Sequence, residues 1–242
     1  MFVSSFFLLL ISTIVIHAAQ LPNFIKKCDK NDPNFGECGI AVSRVVIPRL
    51  VTGYKELGFP PISPFHVDEI GIEATESLKL KLTDVDIYGL EKGNITDMKC
   101  DFKIGSCSTS IYFPQLEVKG TYDIDGQVLI LPIKGHGGAS IKIDDAVFDF
   151  TLAWSLYKKD GVEYATPGEF VLHYNTNRSF YHFDNLFNGD KALGDQMNNF
   201  LNENWQDLSK EVEPAVSRTI SVILKTMFSR LSDQIPYNDL FL

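Results

Sequence analysis

Few side chains in this sequence are of types that do chemistry near neutral pH. Beyond the first twenty residues the histidines are His66, His136, His173 and His182. There is no H-E-x-x-H pair to hold a zinc ion, no phosphate-cradling P-loop and no G-x-S-x-G elbow to present a serine. His136-Gly137-Gly138 echoes the oxyanion loop of some esterases, but without that elbow a glycine-rich bend in a sheet explains it better. Asp84-Val85-Asp86-Ile87-Tyr88-Gly89 opens like a calcium loop. It fails on its ligands, because Tyr88 replaces an oxygen donor and Ile95 stands where the bidentate glutamate belongs. Asp144, Asp145 and Asp184 read as solvated turn carboxylates, and Glu203 and Glu211 as part of a polar helix face with no special role. The expectation is a protein that is not an enzyme, with no catalytic residue, no metal and no cofactor.

The four cysteines are Cys28, Cys38, Cys100 and Cys107. Their spacings are not those of a zinc site and no histidine stands nearby, so disulfides are expected. Four cysteines permit three connectivities, of which the short-range pairing of Cys28 with Cys38 and Cys100 with Cys107 is the simplest. Closing a loop of about ten residues contributes roughly 2–3 kcal/mol through the unfolded state. Disulfides fit a secreted chain, and residues 1–19 fit a signal peptide: Phe2 to Ile16 are almost wholly apolar, and Ala18 and Ala19 supply a cleavage site. Two sequons, at Asn94 and Asn177, mark candidate glycosylated turns. The formal net charge of −9 argues against nucleic acid and anionic lipid surfaces as partners. No later apolar run approaches a membrane span.

The elements that would position any site follow from periodicity. From Asp190 to about Ser232, apolar residues recur in steps of three and four, including Leu193, Met197, Phe200, Leu201, Trp205, Leu208, Val212, Val216, Ile220, Ile223, Met227 and Leu231. This predicts one very long helix, capped by Asp190 and kinked at Pro214. A shorter helix is expected over 40–57, interrupted at Pro48. Between His66 and Phe183 the period changes to two. Leu78, Leu80 and Leu82 alternate with lysines, and Phe148, Phe150, Leu152, Trp154 and Leu156 alternate up to a turn at Asp160-Gly161. Asp125-Gly126 predicts another hairpin turn. The order is helix, antiparallel meander, long helix: an α+β chain whose curved sheet wraps the terminal helix.

Such a wrap either packs solid or leaves a channel. Eighteen phenylalanines and a wide apolar stripe favour an elongated cavity for an apolar ligand. Alternation and helix face select its expected walls: Ile130, Phe150, Leu152, Trp154 and Leu172 on the sheet, and Phe200, Val216, Ile220 and Ile223 on the helix. The alternative is a secreted signalling or structural module that binds protein and has a solid core.

Several short motifs lie in a fixed order. Cys28 and Cys38 flank Asn31-Asp32-Pro33; then come Gly58-Phe59-Pro60-Pro61-Ile62-Ser63-Pro64-Phe65 and Leu82-Thr83-Asp84-Val85-Asp86-Ile87-Tyr88-Gly89-Leu90. Pro114-Gln115-Leu116, Gly120-Thr121-Tyr122 and Gly135-His136-Gly137 follow. Asn185-Leu186-Phe187-Asn188-Gly189, Leu193-Gly194 and Phe200-Leu201-Asn202-Glu203-Asn204-Trp205 complete the set. In this order they resemble the insect takeout and juvenile-hormone-binding protein family over nearly all of 20–242. The resemblance implies a single-domain secreted carrier with a TULIP-like α/β-wrap, enclosing a tunnel for a lipid-like, terpenoid or fatty-acyl small molecule. It implies that the Cys28–Cys38 disulfide is shared by the family. Cys100 and Cys107 lie elsewhere than the second disulfide of the hormone-binding members, which favours the takeout branch. A transient receptor or other protein partner is compatible with such a carrier; an integral membrane partner is not expected.

Overall fold

The computed structural model describes residues 21–75 and 78–242. The expected signal peptide over 1–19 lies outside them. A helix α1 (Phe35–Val46) runs into a 3-10 turn whose first residues are Ile47 and Pro48. It therefore starts five residues before the expected position and takes in Cys38. Seven strands follow: β1 (Phe65–Thr75), β2 (Leu78–Tyr88), β3 (Asn94–Asp101), β4 (Ser106–Val128), β5 (Leu131–Lys159), β6 (Val162–Asn175) and β7 (Arg178–Phe183). Two helices, α2 (Lys191–Glu203) and α3 (Trp205–Ser232), close the chain. Both short-range disulfides, Cys28–Cys38 and Cys100–Cys107, are formed.

All strands are antiparallel, in the order β1-β2-β4-β5-β6, with β3 added to β4 and β7 added to β5. The central pair is very long, 23 residues in β4 and 29 in β5. A flat strand of 23 residues would span roughly 75 Å, against a radius of gyration of about 17 Å for a compact chain of this size. The sheet must therefore bend. A local irregularity marks the bend: Pro114, which has no amide to donate, drops out of the β4–β5 pairing opposite Asp145, whose φ is +50°, while the register continues on either side. At that level both long strands change partners, β4 from β3 to β2 and β5 from β6 to β7.

The sheet does not close on itself. Helix α3 packs against both end strands, β1 and β6, and also against β7, so it fills the seam that the rolled sheet leaves open. Glu213 reaches His173 on β6 (3.2 Å), and the Thr219 hydroxyl shares its one proton between the Ala215 carbonyl of its own helix (3.0 Å) and the Gly71 carbonyl on β1 (3.4 Å). Helix α2 is fastened to the exposed edge of β7 by two asparagines four residues apart. Asn198 exchanges hydrogen bonds with the Phe183 backbone (2.9 and 3.0 Å), and Asn202 does the same with Tyr181 (3.0 and 2.7 Å). The two amides complete the strand's ladder, which leaves no row of unpaired groups along that edge.

The terminal helical stretch differs from its periodicity in one respect. Asp190 caps α2 through its carboxylate and the Leu193 amide, as expected (3.1 Å). The interruption, however, falls at Asn204 (φ −105°, ψ 24°), not at Pro214. Asn204 turns its own side-chain amide onto the Phe200 carbonyl (2.8 Å), a local bond that competes with regular helix. Pro214 is accommodated inside α3; it and Lys210 lie on the solvent face, where water can reach the carbonyl that the proline leaves unpaired.

Asp125-Gly126 also differs from expectation. Both residues lie inside β4, paired with Lys134 and Ile133, and the hairpin turns at Leu129 and Ile130. Leu129 has φ +54°, an unfavourable conformation for its side-chain type. The turn is held by tertiary structure: the Leu129 amide donates to a carboxylate oxygen of Glu211 on α3 (3.1 Å). Glu211 is thus not an idle residue of the polar face. Glu211→Ala is expected to cost about 1–2 kcal/mol, and Glu211→Gln, which keeps an acceptor, less; urea unfolding of the two variants would measure the difference. Equal stability of wild type and Glu211→Ala would remove the role.

Candidate functional site

Between the concave sheet and α3 lies an internal cavity of about 380 Å³, within the range of small-molecule sites. Every strand except β3 contributes wall, as do α2 and α3. On β2 the alternation of Leu78, Leu80 and Leu82 aims three leucines inward; on β5 Ile141, Ile143, Phe148 and Phe150 do the same. Helix α3 supplies Leu208, Val212, Val216, Ile220, Ile223 and Met227. From Leu208 to Met227 the helix rises roughly 28 Å, so the cavity is elongated along it.

Among the described residues, no lining side chain is charged, and the polar ones are Tyr174, Ser179, Tyr181 and Thr219. Thr219 donates to the Ala215 carbonyl (3.0 Å), and the Tyr181 hydroxyl pairs with that of Ser209 (3.1 Å). Burial raises the pKa of both tyrosines above the usual 10, so they stay neutral at physiological pH. The wall is therefore uncharged throughout, and what it can do chemically is exclude water from a long apolar molecule.

Of the nine expected wall residues, Phe150, Leu172, Val216, Ile220 and Ile223 line the cavity. The other four do not, and each for a physical reason. Ile130 is at the tip of the β4–β5 hairpin and is 78% exposed, because the turn lies four residues beyond Asp125-Gly126. Leu152 and Trp154 lie beyond Phe150 where β6 carries an extra residue, Leu152 pairing with Phe170 and Trp154 with Pro167, so the two strands slip in register there. Trp154 instead packs with Phe102, in an aromatic group completed by Phe35, Tyr237 and Phe241 that pins the C-terminus beside Cys28. Phe200 is half-buried against the core cluster that includes Leu186, Met197 and Leu201 and is not part of the cavity lining. Sequence reasoning passed over Leu78, Leu80, Leu82, Phe148 and Tyr174, whose alternation carried the same signal as the residues selected.

The histidines are placed away from the cavity wall. His136 is exposed near the start of β5, and its neighbours Gly137 and Gly138 are small for another reason than curvature or an oxyanion loop. The segment 184–186 crosses them so closely that a Cβ on Gly137 would lie 2.6 Å from the Asp184 carbonyl oxygen. His66, outside the cavity, has both ring nitrogens facing carboxylates, Asp86 at 2.9 Å and Asp68 at 3.4 Å. Neither nitrogen is free to activate a nucleophile. The hydrogen bond to Asp86 is the largest cause of a pKa raised above 6.5; desolvation opposes it, and the charges of Asp86 and Asp68 add to it. The protonated pair therefore supports the fold below the unfolded value, and that support is lost as pH rises through the higher folded value. An NMR titration should place the His66 midpoint above 6.5 and Asp86→Asn should lower it; a wild-type midpoint at or below the ordinary value would contradict the geometry. The described residues contain no cluster of side chains suited to a metal. Asn94 and Asn177, the two sequon asparagines, are exposed.

A helix seated in the seam of a rolled antiparallel sheet, with an uncharged cavity between them, defines a TULIP-like α/β-wrap. Residues 6–242 match the haemolymph juvenile hormone binding protein (JHBP) family, and the chain belongs to that family, which is named for binding and not for a reaction. The circadian clock-controlled protein daywake of Drosophila melanogaster is 27% identical over 237 residues, covering 91% of this chain and 88% of its own. Its Drosophila yakuba counterpart is 26% identical over 241 residues, covering 93% and 90%. The crystal structure of Epiphyas postvittana Takeout 1 has the same fold, with a TM-score of 0.78 at 24% identity, covering 90% of this chain and 99% of that one.

Proposed function

We propose that this protein is a secreted, non-catalytic carrier of a long hydrophobic molecule, of lipid-like, terpenoid or fatty-acyl type, held in the internal cavity. The observation that carries the proposal is the elongated cavity of about 380 Å³ without a charged lining side chain among the described residues. Membership of a family named for hormone binding supports it. Within the cavity Phe150, Leu172, Val216, Ile220 and Ile223 are the proposed contacts. Secretion as the single domain 20–242 is supported by the apolar leader at 1–19 and by two disulfides, and glycans at Asn94 and Asn177 would lie on exposed surface.

Affinity in such a site comes from removing methylenes from water, about 0.8 kcal/mol each. Across a homologous series of alkyl ligands, binding should therefore tighten by roughly fourfold per carbon until the chain outgrows the cavity. Native mass spectrometry of the purified protein, with displacement of a fluorescent fatty acyl probe, tests this. A ligand-free protein that also fails to bind the probe would overturn the carrier function.

A further inference from the structure

A second hollow, also about 380 Å³ but open to solvent, lies at one end of the cavity. It is framed by the turn at Leu57–Pro60, the start of β1 and the last turns of α3. Phe65, Ile223 and Met227 line both spaces, so the outer hollow is a mouth separated from the inner cavity by these three side chains. The apolar stripe of α3 passes from Ile220 through Ile223 and Met227, and its next position at helical spacing is Arg230, on the wall of the mouth. Arg230 is about 10 Å along the helix from Ile223, two turns.

The charged side chains of the mouth are His66, Asp68 and Arg230. Asp68 is engaged by His66, which also binds Asp86, and the Thr226 hydroxyl is committed to the Val222 carbonyl (2.8 Å). Arg230 alone in this set has no ion pair among the described residues. A guanidinium is always charged and matches a carboxylate with two parallel hydrogen bonds. A carboxylate there would stand next to an uncharged cavity into which its tail can pass.

We propose that the favoured ligand is a long-chain carboxylic acid, bound with its tail in the cavity and its carboxylate on Arg230 at the mouth. This rests on the cavity being the ligand site. It adds a head-group preference and an orientation that the uncharged wall cannot supply.

The test measures displacement of a fluorescent probe by palmitic acid, methyl palmitate and hexadecanol, on wild type, Arg230→Gln and Arg230→Lys, at low and high salt. Wild type should bind the acid roughly fivefold to tenfold more tightly than the ester or alcohol, and salt should reduce that ratio. Arg230→Gln should lower acid affinity to that of the ester and leave the ester unchanged, while Arg230→Lys should retain part of the preference. Arg230 is exposed, so these variants should fold, and unchanged circular dichroism would show it. Equal binding of acid and ester by wild type, or a preference that survives Arg230→Gln, overturns the head-group inference and leaves the carrier function standing. Failure of all three compounds to bind removes both.

Discussion

Ile220→Trp is expected to abolish binding of a long apolar probe, weakening it by more than about tenfold, while the melting temperature stays close to that of wild type. Ile220 stands midway along the stretch of α3 that lines the cavity, between Val216 and Ile223. An indole at that position enters open space and not a filled core, so the usual overpacking cost of about 1–3 kcal/mol should be largely relieved. The same volume is then unavailable to a ligand. Arg218→Trp is the matched control, since Arg218 is on the same helix but exposed and outside both the inner cavity and its mouth; its binding should equal wild type. Retained affinity in Ile220→Trp, with the protein folded, would mean that the ligand binds elsewhere.

The second large effect concerns folding. Gly137→Ala should destabilise the protein by about 2–4 kcal/mol, a large share of the 5–15 kcal/mol of a typical domain. The added methyl would meet the backbone of Asp184 and not the end of a flexible side chain. Relieving that clash means lifting a segment held at several points. The Tyr122 hydroxyl donates to the Asp184 carbonyl (2.6 Å), the Asp184 amide to Gly138 (2.9 Å), and the Asn185 side chain to the His136 carbonyl (2.9 Å). Leu186, next in line, is 1% exposed in the core. By contrast His136→Ala, which removes an exposed side chain from the same strand, should change stability by less than about 0.5 kcal/mol. Chemical denaturation of both variants separates close packing from any role of the imidazole; equal losses would refute the packing account.

Side chains far apart in the chain decided what periodicity could not reach. A period of two or of 3.6 tells which face a residue occupies, and it placed the β2 leucines, Phe150 and Leu172 on the inner face of the sheet and Val216, Ile220 and Ile223 on the inner face of α3. It does not tell how far the opposite wall stands. Phe200 and Ile220 belong to the same apolar stripe, yet only Ile220 lines the cavity, because the space in front of each depends on how the sheet curls past it. Alternation also does not tell where a series leaves the cavity: past the β6 bulge Trp154 packs with Phe102, and only Phe148 and Phe150 of its series line the wall.

Turns show the same division. Asp160-Gly161 forms its hairpin where local chemistry puts it, with φ of +51° and +80°. Asp125-Gly126 has the same signal and is overruled, because Glu211, eighty-two residues beyond Leu129, supplies the acceptor that holds the turn at Leu129 instead. By itself the sequence determined the α+β wrap, the order of its elements and the family. Those follow from local pattern and from motifs kept in order, whereas the pairing of Cys100 with Cys107 was decided by the structure. The cavity, its mouth at Arg230 and the break at Asn204 were decided by tertiary structure, since a void is defined by the distance between walls that no local pattern encodes.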